Sequence, residues 1–346
     1  MKRNNSTIEN QVKEQVETVK ETKEYDGNME TMVSTGSTLL DLSISGGRIR
    51  GGGIPGGILV EVFGPNSAGK TVLLCEIAGG VQRLGGDVLF RDPEARLNSE
   101  FAKIFDFEVK DVDYDTPDTV PEVFAPVRKW KPKKQAPIHG IFADSLAALS
   151  TDLEMDNEDG DKMGMRRAKE FSQECRKTCR IITKNNYLMV CSNQIRGNPD
   201  AGQWGPKTKS TGGEAIGFYA SLRLKLSSPK KIERELSING KKLKKPLGTV
   251  VEVEVFKSTV WKPYRKEEIY IISDYGIDDV RGNLAYLKKW SGDYAIGDKE
   301  LGKNMNTAIQ TVEENNLEND LREAVIDLWE EIENKFIVPR KPKGRG

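Results

Sequence analysis

Histidine is nearly missing from this 346-residue chain: His139 is the only one. That excludes a histidine-rich metal centre. Because His139 falls inside a strand-like run, it also excludes histidine as general base, so base chemistry falls to a carboxylate. Cysteine is scarce too. Cys75, Cys175, Cys179 and Cys191 lie in apparent helices and a strand, away from disulfide-framework spacings, and a reducing cytoplasm is the simplest reading. Cys175 and Cys179 stand one helical turn apart, but two thiols without other soft ligands read as small packing residues. No run of about 18 apolar residues exists, so no membrane span is expected. The N-terminus, "MKRNNSTIENQ", has no apolar signal segment. Net charge is absent as well. The 53 basic and 53 acidic residues cancel, so a polyanion would have to be held by local patches.

What is present is enough apolar material (37%) for a packed interior under a well-charged (31%) surface. At about 150 residues per domain this suits one large core with a smaller unit. Residues 1–33 are polar, with Ile8, Val12, Val16 and Val19 at helical spacing behind a Ser6–Glu9 capping box. Such a narrow stripe cannot fold alone. It is either a fraying tail or an arm for a neighbouring subunit. From Val33 apolar strands alternate with helices: "ILVEVFG" (58–64), "GDVLFRD" (86–92), "PIHGIFADS" (137–145) and "YLMVCSNQ" (187–194), with helical patterns at 69–84 and 162–185. This alternation predicts an α/β fold with a mostly parallel central sheet covered on both faces, its ligands bound beyond the carboxyl ends of the strands. Three more strand-like runs follow, "ASLRLKLSS", "TVVEVEVFKS" and "EEIYIISDYGI", with a hairpin signal at Asn239-Gly240. The expected organisation is an arm (1–33), a large α/β core (34–281), a small α-rich C-terminal domain (282–337) and a basic, disordered tail (338–346).

"GPNSAGKT", Gly64 to Thr71, closes the first strand and opens a helix, as the G-x-x-x-x-G-K-[ST] pattern requires. Backbone amides of Gly64, Pro65, Asn66, Ser67, Ala68 and Gly69 form the cradle, apart from proline's missing N–H, and the helix N-terminus favours phosphate. Lys70 would reach the β- and γ-phosphates, and the Thr71 hydroxyl would ligate magnesium. Asp144, at the end of an apolar strand, would face the metal; otherwise it caps a helix. Glu94, just past another strand, would polarise the attacking water; otherwise it is an exposed loop residue. Gln194, at the end of the fourth strand, would sense the γ-phosphate. All three lie at strand carboxyl ends. The stretch from Gly197 to Ser210 has no apolar periodicity, and loops of this length are usually functional or disordered.

"STGSTLLDL" (34–42), "GPNSAGKT", "FRDPEARL", "FADSLAAL" (142–149), "SNQIR" (192–196) and "STGGEAIGFYASLRL" (210–224) resemble, in order and spacing, the RecA recombinase family of bacteria and their phages. The resemblance covers about residues 33–290 with specific motifs, and the helical part beyond more weakly. It implies a DNA-dependent ATPase with ATP and magnesium as cofactors. It also implies a homo-oligomeric helical filament on single-stranded DNA, paired with homologous double-stranded DNA, with single-strand-binding or loader proteins as candidate partners. Glu94 resembles the catalytic glutamate, Asp144 the magnesium-linked aspartate, and Gln194 the glutamine that couples ATP to the DNA loops. Phe101 stands for an adenine-stacking tyrosine, Asn98 for a base-contacting aspartate. The stretch "NQIRGNPDAGQWGPKTKSTGG" then resembles the second DNA loop, with Arg196, Trp204, Lys207, Lys209, Thr211, Gly212 and Gly213 as contacts. Its lysines can neutralise phosphates, and Trp204 can stack on bases at about 1–3 kcal/mol without reading them. Glu154 to Gly164 resembles the first loop, with Met163 and Gly164 on DNA, and Arg167, Ser172 and Arg176 follow in the next helix.

The chain departs from the family in several places. In "VFKSTVWKP", Lys257 matches the first of two lysines that reach the next subunit's γ-phosphate, but the second position is Thr259. Gly217 replaces a lysine before Phe218, the implied interface aromatic, and Glu214 replaces an asparagine. The end is basic, with Arg340, Lys341, Lys343 and Arg345, where the family often ends acidic. Three alternatives therefore stand beside strand exchange: a hexameric helicase of related fold, a coating filament with little turnover, and a regulator of another recombinase.

Overall fold

The computed structural model describes residues 30–150, 163–197, 208–210 and 215–340. Outside them lie the expected arm and its capping box, most of both expected DNA loops, including Trp204, Lys207, Thr211, Gly212 and Gly213, and the tail beyond Arg340. Met163, Gly164, Arg196 and Lys209 are described by backbone only.

The centre is an 11-stranded sheet. Its strands are β1 (Leu59–Gly64), β2 (Val88–Arg91), β3 (Asp113–Asp115), β4 (His139–Ala143), β5 (Tyr187–Gly197), β6 (Thr208–Ser210), β7 (Leu222–Leu226), β8 (Lys230–Ile238), β9 (Lys241–Ser258), β10 (Lys266–Ile272) and β11 (Gly276–Ile277). The order is β11-β10-β9-β7-β1-β5-β4-β2-β3, with β8 paired to β9 and β6 to β5. From β7 to β3 all neighbours run parallel. From β9 outward they are antiparallel. The mostly parallel sheet expected from the apolar runs is present, since β1, β2 and β4 are buried along their whole length.

The helices are α1 (Thr38–Ser45), α2 (Lys70–Arg83), α3 (Ser99–Lys103), α4 (Val120–Lys129), α5 (Met163–Lys184), α6 (Ala215–Tyr219), α7 (Asp279–Ser291), α8 (Met305–Glu314) and α9 (Glu318–Lys335). One sheet face presents Leu59, Leu89, Ile141 and Met189 to Phe124 of α4, Phe171 of α5 and Ile216 of α6. A Cβ on Gly140, one residue from Ile141 and so on the opposite face, would meet Val81 of α2. Local signals set the helix starts. Thr119 and Glu122 form the capping box of α4, and Asn98 caps α3 through a 2.7 Å bond from the Phe101 amide.

The helices after Gly282 bury their apolar stripes on the core. Leu39 and Leu42 of α1 share a cluster with Leu284 of α7, Val312 of α8 and Trp329 of α9. Arg265 ties the last helix down. It is bidentate to Glu333 at 2.6 Å and lies 4.1 Å over the Trp261 ring. Residues from Thr31 onward form one compact unit.

Besides the short exposed edge strand β3, two strand features escape the sequence patterns. β5 runs on past Gln194 to Gly197, and β6 pairs back on it, Ile195 opposite Ser210 and Gly197 opposite Thr208. The segment Gly197–Ser210 is thus bounded by a short ribbon. The hairpin β8–β9 turns at Asn239-Gly240 as expected, both residues at positive φ. Its outer half is solvent-exposed on both faces, so no apolar alternation announces it. His139 opens β4, where its Nδ1 accepts from the Asp87 amide at 3.0 Å, and burial lowers its pKa. It serves structure, as its place in a strand suggests.

Candidate nucleotide-binding site

β1 stops at Gly64, and Gly69, at φ 87°, opens α2. That backbone sign favours glycine, and a Cβ there would come within 2.4 Å of Ile271 Cδ1. Lys70 folds back over the loop, its Nζ donating to the carbonyls of Pro65 at 2.8 Å and Gly64 at 3.2 Å. Burial lowers the Lys70 pKa, opposed by the charges of Asp144 and Glu94. A cation held only by carbonyls beside a helix N-terminus is ready to exchange them for phosphate oxygens.

Asp144 follows β4 and is recessed. The Thr71 hydroxyl donates to its Oδ2 at 2.6 Å, and the Ser192 hydroxyl donates to Oδ1. Burial raises the Asp144 pKa, while these two hydrogen bonds oppose the rise and the charges of Asp92 and Glu94 add to it. A hydroxyl and a carboxylate in contact beside the phosphate loop are hard oxygen donors suited to magnesium. Among the described residues no three-carboxylate, histidine or cysteine cluster could hold an ion without further ligands.

Glu94 sits on a loop after β2 that is braced from within. Asp92, nearly fully buried, accepts from the amides of Arg96 and Leu97 at 2.8 Å each and from the Tyr114 hydroxyl at 3.0 Å. Glu94 Oε1 accepts from Ser145 Oγ at 3.1 Å and from Gln194 Nε2 at 3.4 Å, and Oε2 pairs with Arg96 at 2.7 Å. Register explains the meeting. Gly64 lies opposite Gln194, and Ala143 opposite Cys191, so the phosphate loop, Asp144 and Gln194 end at one level of the sheet. The three polar residues chosen from the sequence are therefore brought together. Asp92, Ser145 and Ser192 were missed; Asp92 and Ser145 lie just past strand carboxyl ends, where the same rule would have found them, whereas Ser192 lies inside β5.

Phe101 packs edge-on against Phe105, with ring centres 5.0 Å apart. Both line a cleft of about 470 Å³ between α2, α3 and the strands β9–β11, with Val72 and Ile271 among its walls. Asn98 caps α3 beside it, its Oδ1 engaged by the Phe101 amide.

On α5, Ser172 and Arg176 are four residues apart and share a face, whereas Arg167 is turned about 140° from Ser172. Lys257 is half-buried, its Nζ donating to the carbonyls of Gly217 at 2.9 Å and Phe218 at 3.0 Å. Burial and then Arg223 lower its pKa. Arg223 bonds the buried Glu61 at 2.6 Å, and Asn193 donates to the other Glu61 oxygen at 2.9 Å. Gly217 leaves room for this cluster, since a Cβ there would lie 2.9 Å from the Arg223 guanidinium. The ring of Phe218 is 76% exposed, a large apolar surface in solvent.

A glycine-bounded phosphate loop between a parallel strand and a helix, with a hydroxyl–carboxylate pair beside it and a glutamate on the next strand end, defines a P-loop nucleoside triphosphatase of the α/β class. Residues 3–278 match the family model described as the RecA N-terminal domain. Similar relatives are Protein RecA of Borreliella afzelii (strain PKo), 31% identical over 323 residues, covering 88% of this chain and 83% of that protein, and Protein RecA of Gloeobacter violaceus, 31% identical over 313 residues, covering 89% and 80%. The chain belongs to the RecA family. It is thereby a nucleotide-binding, DNA-dependent ATPase of homologous recombination and repair.

Proposed function

We propose that the chain binds ATP at Gly64–Thr71, polymerises as a helical filament on single-stranded DNA in the cytoplasm and exchanges strands with homologous duplex. The contact between Gln194 and Glu94 carries this reading, because it joins the glutamate beside the phosphates to the strand that leads into the second DNA loop. When bound, magnesium would be held by Thr71 and Asp144 and would neutralise phosphate charge. Glu94 orients and deprotonates the attacking water, and Lys70 stabilises charge on the phosphate oxygens. Phe101 stacks on the base, with Asn98 at the edge of that pocket. A γ-phosphate draws the Gln194 amide toward it and so sets the posture of β5 and β6, from which Arg196, Trp204, Lys207, Lys209, Thr211, Gly212 and Gly213 reach DNA. Met163, Gly164, Arg167, Ser172 and Arg176 form the second wall of the DNA channel. Phe218 and Lys257 face the neighbouring subunit, Lys257 acting on the neighbour's γ-phosphate. The segment 1–33 serves as polymerisation arm and 338–346 as basic tail.

A second reading, a coating filament with little exchange, is favoured by one observation: Thr259 supplies no second cation beside Lys257. ATP hydrolysis measured with and without single-stranded DNA, electron microscopy of the complexes and a joint-molecule assay decide between them. Stimulated hydrolysis, helical filaments and joint molecules are expected. Filaments without joint molecules would leave the coating reading, and equal hydrolysis with and without DNA would defeat both.

A further inference from the structure

At the edge of the sheet opposite the phosphate loop, a cleft of about 560 Å³ lies between the starts of β2 and β3 and residues Trp130–Lys134, the end of the segment Arg128–Lys134. That segment reads "RKWKPKK", five basic residues in seven with no acid, in a chain whose total charge cancels. The acids around the cleft are mostly engaged. Asp87 accepts the backbone amides of Lys133 and Lys134, and Arg91 holds Asp113 through two bonds of 3.1 and 3.2 Å. Asp111 alone has no ion pair among the described residues. The cations are mostly unengaged. Arg128 is paired with Glu174, and the Lys134 ammonium stands 3.9 Å from Asp87. Lys110, Lys129, Lys131 and Lys133 are exposed and make no ion pair among the described residues.

The display is also rigid. Asp87 pins the loop by its backbone, Pro132 restricts it, and Trp130 packs against Tyr187 with ring centres 5.2 Å apart. Trp130 is half-buried in the cleft wall with His139 and Tyr187 against its ring, so the exposed groups this surface offers are cations. Unpaired strands are gripped by stacking as well as charge, whereas a duplex keeps its bases inside and presents phosphates.

We propose that this amino-edge cleft is a second nucleic-acid surface that holds the phosphate backbone of duplex DNA through Lys110, Lys131, Lys133 and Lys134, without reading bases. It extends the recombinase reading, since that activity must hold an incoming duplex apart from the filament's own strand. The test uses the full chain with Lys131, Lys133 and Lys134 replaced by Ala, which leaves the Asp87 backbone bonds in place. Binding to a blunt duplex is followed by anisotropy between about 50 and 200 mM salt.

The slope of log affinity against log salt should fall by about 2.7, at ~0.9 per lost phosphate contact. Hydrolysis stimulated by single-stranded DNA should stay unchanged. An unchanged duplex slope overturns the proposal. So does polyglutamate binding as tight as duplex binding at matched salt and weakened equally by the substitutions, since the surface would then suit acidic proteins. If the triple variant fails to fold, Lys131→Gln alone should lower the slope by about 0.9, and no change would overturn the idea. The wild-type duplex slope is read without any ATPase measurement, so absence of stimulated hydrolysis would sink the recombinase reading separately.

Discussion

Lys257 Nζ lies 2.9 Å from the carbonyl oxygen of Gly217, so this cation caps the end of α6. The bond crosses 40 residues of chain and ties β9 to the helix that carries the exposed Phe218 ring. In the proposed filament this cation and the exposed ring would both face the neighbouring subunit.

Lys257→Ala should therefore leave nucleotide affinity in dilute protein within about twofold while lowering DNA-stimulated turnover by about 10²-fold or more, the usual effect of removing one charge-stabilising donor. Titration of a fluorescent nucleotide and steady-state ATPase assays check this. Equal losses in both would place Lys257 in its own subunit's site.

Gln194→Ala removes the donor that reaches Glu94 Oε1 at 3.4 Å and leaves Ser145 and Arg96 on the same carboxylate. Nucleotide binding and slow basal hydrolysis should persist, and stimulation by single-stranded DNA should vanish. Stimulation of ordinary size in this variant would show that the signal to the DNA loops travels by another route.

Asp144→Asn and Thr71→Val each take one oxygen donor from a pair that is 2.6 Å apart. Magnesium should then strengthen ATP binding much less than in the wild type, a loss of about tenfold or more in the metal-dependent part of the affinity. Calorimetry with and without a chelator reads it. A variant that kept the full magnesium effect would remove these residues from the metal site.

Glu267 lies on β10, where its Oε1 accepts from Ser43 Oγ at 2.7 Å, and burial raises its pKa to about 7 from the ordinary glutamate value. The folded state thus binds a proton that the unfolded state has already released above about pH 4.5. The stability this contributes is complete below that pH and is lost as pH rises toward and through 7. Glu267→Gln keeps the acceptor and never ionises. Its unfolding free energy relative to wild type should rise between pH 5 and pH 8 by on the order of 1–2 kcal/mol once partial exposure is allowed for, and melting curves at the two pH values read it. A difference that does not change with pH would place Glu267 in a more hydrated setting.

How much could be read in advance follows from the range of the forces. The phosphate loop was legible because a Gly-x-x-x-x-Gly-Lys-Thr turn between strand and helix is a local device, set by backbone conformations within eight residues. The hairpin turn at Asn239-Gly240 was legible for the same reason. The outer half of β8–β9 was not, because a ribbon exposed on both faces buries nothing, and hydrophobic alternation is a record of burial. The extension of β5 to Gly197 was not, because its partner β6 supplies the pairing and neither segment carries an apolar pattern.

The sequence alone determined the main parallel strands, the position of the phosphate cradle and the short set of polar residues at strand ends. Only the tertiary structure decided which of those residues touch. Thr71 meets Asp144 across 73 residues and Glu94 meets Gln194 across 100, because strands distant in the chain are set side by side in one register. It also showed Asp92, Ser145 and Ser192 as the supports of that set, and Lys257 resting on the helix of Phe218. Local chemistry chooses each element. Pairing between distant strands is a property of the packed sheet as a whole, and that pairing turns separate candidates into a site.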